Sequence, residues 1–127
     1  MTYFELFFVA FFLNLLYELL HSVLYTTCLE APLKKYVYLM LKAAIFDGIV
    51  IMIMYYATNL ISHEGWLIAF LIASLLFAYL WEIYSLKVGK WRYAKTMPVI
   101  LGVGVTPLLQ LPLTGFLSLC IVIHFFV

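Results

Sequence analysis

The chain predicts an all-α integral membrane protein, a four-span helical bundle, and three observations lead there. Of its 127 residues, 68% are hydrophobic and only 10% are charged, against about 25% charged in a soluble domain. The apolar residues fall in runs longer than ~18, the length that marks a membrane span rather than a soluble core. The lysines and arginines gather at two connections only. The whole chain, 1-127, reads as a single transmembrane domain.

The first span covers about 3-27. Its start, Met1-Thr2-Tyr3-Phe4-Glu5, lacks the basic n-region of a secretory signal, and Glu18 and His21 interrupt the apolar run, so it reads as a retained span. A break at Glu30-Ala31-Pro32 follows. The second span covers 37-60 and ends at Ser62-His63-Glu64-Gly65. The third covers 66-86 and leads into a basic, aromatic loop, Lys87 to Lys95. The last covers 107-127. Each run reaches the ~20 residues needed to cross ~30 Å of hydrocarbon.

Residues 97-106 stand apart. Pro98, Gly102, Gly104, Pro107 and Pro112 punctuate the last apolar region. Proline removes an amide donor and glycine permits unusual backbone angles. The final span is therefore expected to be proline-broken, with a short helix or re-entrant segment before it; one long kinked helix is the competing expectation.

Lys34, Lys35 and Lys42 flank the first connection, and Lys87, Lys90, Arg92 and Lys95 fill the third. The positive-inside rule puts loops 28-36 and 87-96 in the cytoplasm and both termini outside, in a plasma or inner membrane. Membrane lipids are the expected partners. A net charge of +1 without a basic stripe argues against nucleic acid. Cys28 and Cys120 fall at different depths, too far apart for a disulfide. Trp66, Trp81, Trp91, Tyr36, Tyr38 and Tyr93 fit interfacial belts. His63, Glu64 and His124 lie at the outer end, where solvation accounts for them.

Four ionisable residues fall inside apolar spans: Glu18, His21, Asp47 and Glu82. Each costs about 2.5–3.5 kcal/mol near the centre of a span, so each is a candidate for function. Asn14, Glu18, His21 and Tyr25 are spaced four, three and four apart, a narrow stripe on one helix face. Tyr79 and Glu82 lie one turn apart on the third span, and Gln110 is the polar candidate from the last. Glu18, His21, Asp47 and Glu82 are the expected catalytic groups. Asn14, Tyr25, Tyr79 and Gln110 are the expected ligand contacts.

Three chemistries suit this set. Acid–base work on a lipidic or isoprenoid-like ligand suits buried carboxyls beside a histidine. A divalent metal such as zinc or iron suits His21, Glu18 and Glu82 as ligands, although only one Glu-x-x-His pair exists. A proton-coupled transporter acting as a homodimer is the alternative. A structural or accessory subunit, its polar groups bonding only to one another across helices, is the remaining one.

Overall fold

A computed structural model describes residues 3–61 and 63–127. Met1 and Thr2 of the expected N-terminal run, and Ser62 of the expected outer turn, lie outside the described residues. Four helices are long and apolar enough to cross a membrane.

Helix α1 runs Tyr3–His21, followed by a 3-10 turn at Ser22–Leu24 and a short α2 at Thr26–Leu29. Next come α3, Leu33–Ile61, and α4, Trp66–Lys87. Strands β1, Val99–Ile100, and β2, Val103–Gly104, precede α5, Val105–Phe126. The long helices form a ring in which α1 lies between α3 and α5, and α4 closes the other side against both.

The distribution of residue types is inverted relative to a soluble bundle. Phe4, Phe12, Leu16, Ile53 and Leu76 face outward, while Asn14, Asp47, Gln110, Thr114 and Ser118 are buried. Lipid tails are as apolar as leucine, so such helices associate through close packing and interhelical hydrogen bonds. The apolar part of the interior is Leu6, Ala10, Ile51, Phe70, Leu119 and Val122.

Small residues set the helix spacing. A Cβ on Gly115 of α5 would stand 2.6 Å from Cζ of the fully buried Phe70 ring on α4. The ring cannot retreat without moving α4, and overpacking of this kind costs about 1–3 kcal/mol. Gly115→Ala is therefore expected to lower the thermal midpoint in detergent. An unchanged midpoint would show that the two helices are not in the contact described.

The structure departs from the sequence expectation in two places, and both matter for the site. The first span was expected to continue as helix to Thr27. Instead α1 stops at His21, and Tyr25 is extended, at φ -114° and ψ 124°. The opened backbone is paired rather than bare. Thr26 N–H donates to Arg92 O at 2.9 Å, Ala94 N–H to Leu24 O at 2.8 Å, and Thr26 Oγ1 to Tyr93 O at 3.1 Å. Non-helical backbone at membrane depth requires such cover by protein.

The second departure is within 97-106, where a hairpin stands in place of the expected short helix and α5 begins at Val105. Val99–Ile100 and Val103–Gly104 pair antiparallel across a turn at Leu101 and Gly102, both with positive φ (51° and 84°). Positive φ at both central positions defines a type I′ turn, the hairpin turn whose twist matches the strands. Asn-Gly usually occupies it; here a leucine takes the strained first position. Tyr79 Oη donates to Leu101 O at 3.1 Å and holds the tip against α4. The expected proline break is also absent: α5 is one helix through Pro112. Pro107 falls in its first turn, where a missing amide costs no intrahelical bond.

Candidate functional site

Gln110 of α5 is the hub of the buried polar residues. Its Nε2 lies 2.8 Å from Glu18 Oε1, 2.9 Å from Asp47 Oδ2 and 3.1 Å from Asn14 Oδ1. One amide side chain thus ties α5 to α1 and α3 together. The nitrogen has two protons for three acceptors. Asn14 is relieved by Thr114 Oγ1, which donates to the same Oδ1 at 3.0 Å. The two carboxyls, Glu18 and Asp47, both accept from that nitrogen, so one amide draws a group from α1 and a group from α3 to the same place.

Behind Glu18 stands His21. Its Nε2 meets Glu18 Oε2 at 3.0 Å, and its Nδ1 meets Thr106 Oγ1 at 3.0 Å. Tyr17 Oη donates to the Thr106 carbonyl, and the Tyr17 and Tyr25 rings pack edge-on against the imidazole. The ring is fixed on both nitrogens and both edges. Glu18 is consequently held from two sides, Oε1 by Gln110 and Oε2 by His21.

Glu82 sits in a different constellation. Its Oε1 accepts from Trp91 Nε1 at 2.9 Å and from Tyr93 Oη at 2.5 Å, with Tyr25 Oη further off at 3.5 Å. Tyr93 Oη in turn accepts the Gly104 amide at 2.9 Å. Glu82 therefore latches the third connection, and through Tyr93 the hairpin, onto α4. Burial and the Glu82 bond both push the Tyr93 phenol above its ordinary pKa, so it stays a proton donor at neutral pH.

A cavity of about 460 Å³ opens among these groups. Glu18, Asp47, Gln110 and Glu82 reach its wall, and Phe46, Trp81 and Leu111 supply much of its apolar surface. Tyr25 and Cys28 also reach it, and burial pushes the Cys28 thiol up, away from thiolate.

The eight residues expected from sequence are thus divided. Glu18, Asp47, Gln110, Glu82 and Tyr25 border the cavity. His21 and Asn14 are buried behind it and act through Glu18 and Gln110. Tyr79 is turned to the hairpin tip. The expected zinc or iron set of His21, Glu18 and Glu82 does not assemble. Among the described residues no three His, Cys, Asp or Glu side chains gather as ligands. Both His21 nitrogens are occupied, and Glu82 Oε1 is taken by Trp91 Nε1 and Tyr93 Oη.

Thr106, Thr114, Trp91 and Tyr93 are the members that sequence reasoning missed. A signal existed for the first two. Thr106, Gln110, Thr114 and Ser118 repeat every four residues along α5, a stripe like that of α1. Trp91 and Tyr93 lie in a loop, where no helical period points to a partner.

No family model, curated protein or solved structure matches this chain.

Proposed function

We propose that the chain is a membrane-embedded enzyme or binding protein for an amphipathic, lipidic ligand, with Glu18 and Asp47 as its acid–base pair. The carrying observation is that both carboxyls accept from Gln110 Nε2 at the wall of a largely apolar cavity of about 460 Å³. That size lies within the ~300–1,000 Å³ range of small-molecule sites.

In this reading one of the two carboxyls carries a proton and the other does not. The protonated member is a donor and its neighbour an acceptor, the combination that general acid–base catalysis needs. Gln110 N–H groups steady the charge, and His21, oriented by Thr106, fixes the Glu18 carboxyl plane. On an isoprenoid-like chain, the acid would deliver its proton to one carbon of a double bond, whose π pair forms the new C–H bond. The carboxylate beside it would stabilise the resulting cation and remove a proton from the adjacent carbon, which shifts the double bond. Glu82 serves in this reading as a latch rather than as a second acid. The basic connections on the side of the cavity mouth support an opening toward the cytoplasm by the positive-inside rule.

The test is deuterium uptake. Purified protein in D₂O is incubated with a polyprenol, and the lipid is read by mass spectrometry. Wild type should exchange deuterium into the chain, and Glu18→Gln should slow it by about 10²-fold or more, the usual contribution of a positioned acid or base. Exchange that survives both Glu18→Gln and Asp47→Asn would overturn the proposal.

A further inference from the structure

Beside the mouth of the cavity lies a second, shallower recess of about 360 Å³. Three stretches distant in sequence build it. Thr27 and Glu30 come from the end of the α1–α2 break, Lys35 from the first turn of α3, and Lys90 and Arg92 from the third connection. Thr27 and Lys90 border both spaces, so the recess and the cavity are direct neighbours.

The recess has an excess of positive charge. Arg92 pairs with Glu30 at 3.4 Å. Lys35 and Lys90 make no ion pair among the described residues. Lys90 Nζ instead lies 4.2 Å from the centroid of Trp81 and 5.4 Å from that of Tyr84. The cation–π contact holds the ammonium at the rim and leaves its protons free. Thr27 Oγ1 accepts the Arg92 amide at 2.8 Å, which leaves its hydroxyl proton to donate elsewhere. Ammonium, guanidinium and hydroxyl donors converging on one concavity match the oxygens of a phosphate-type group.

We infer that the ligand is an amphipath with a phosphate-type anionic head. The head sits between Lys35, Lys90 and Arg92. The tail passes Trp91 and Trp81 and reaches Glu18 and Asp47. The inference rests on the reading of the cavity as a ligand site and adds the charge and position of the head. A lysine cluster placed only to set topology would need neither a recess nor walls shared with a cavity lined by carboxyls.

Trp81 and Trp91 both border the cavity, so ligand entry is readable by intrinsic fluorescence. Full-length protein in a neutral maltoside detergent is titrated with dodecyl phosphate, dodecanol or inorganic phosphate. Dodecyl phosphate is expected to give a saturable change, weakened about tenfold or more in Lys35→Gln/Lys90→Gln, as loss of two charge-assisted contacts implies. Both lysines are exposed, so the variant should keep its thermal midpoint. Dodecanol binding as tightly as dodecyl phosphate, or undiminished affinity in the double variant, overturns the head site and leaves the cavity reading standing. Saturation by inorganic phosphate at the same concentration assigns the recess to a free anion and overturns the amphipath. No response to any of the three overturns both readings.

Discussion

Gln110→Leu should be among the most destabilising single substitutions in this protein. Leucine preserves the volume but removes both amide protons, so Glu18, Asp47 and Asn14 lose one shared donor at once. An average interhelical hydrogen bond in a membrane contributes only about 0.6 kcal/mol. A buried group left without its partner costs more, about 1–3 kcal/mol, and more again when it is charged. Asn14 keeps Thr114 and is partly spared. Glu18 keeps His21, whereas Asp47 loses the donor it had. We expect a loss of about 2–4 kcal/mol, on the scale of unsatisfied buried groups, read as a lower thermal midpoint in detergent. Adding Asp47→Leu should recover part of it, because removing both partners avoids the orphaned group. A midpoint equal to wild type in Gln110→Leu would mean that the amide does not bridge the three helices.

The second large effect belongs to Glu82→Ala. One carboxyl oxygen is the common acceptor for Trp91 and Tyr93, and its loss strands both ring donors in a part-buried setting. Hydrogen bonds to charged groups contribute about 1.5–3 kcal/mol each. The more specific consequence is local. Lys87, Lys90, Arg92 and Lys95 make the third connection a row of trypsin sites, protected while the latch holds. In Glu82→Ala, cleavage there should accelerate by about tenfold or more, as local opening becomes easier. Glu82→Gln retains an acceptor oxygen and should fall between. Tyr93→Phe should free the hairpin as well, since it also releases the Gly104 amide. Equal cleavage rates in wild type and Glu82→Ala would exclude the latch.

Much of this is legible in the sequence, and the illegible remainder has definite causes. Four long apolar runs announce four helices, because a span must satisfy its own backbone in hydrocarbon. The placement of Gln110 beside Glu18 and Asp47 is accessible from helical period and depth. The end of α1 is not. Ser22-Val23-Leu24-Tyr25 contains no proline or glycine, and what opens it is backbone pairing with residues 92–94, a partner that no local pattern names. The hairpin is missed for the opposite reason. Gly102 marks the turn, but Leu101 stands where asparagine or glycine would signal type I′, and prolines on either side suggest a broken helix. Depth groups Glu82 with the other carboxyls, but it does not reveal its hydrogen-bond partners. Its actual partners lie in a loop nine and eleven residues onward, where chain direction is free. The Trp91-Arg92-Tyr93 segment is motif-like in sequence without evident chemistry. In the structure, its two rings meet one carboxyl oxygen and its central arginine faces the basic recess.

The open backbone at Leu24–Thr26 also bears on how the protein is made. Its partners, Arg92, Tyr93 and Ala94, lie more than sixty residues later in the chain. During synthesis, α1 and α3 are complete long before those partners exist, and the cavity mouth has no rim until they arrive. Chains truncated before Trp91 would hold three spans but leave these peptide groups without their protein partners. The contacts that give the site its entrance thus form only after the third span is made, and the hub at Gln110 closes later still.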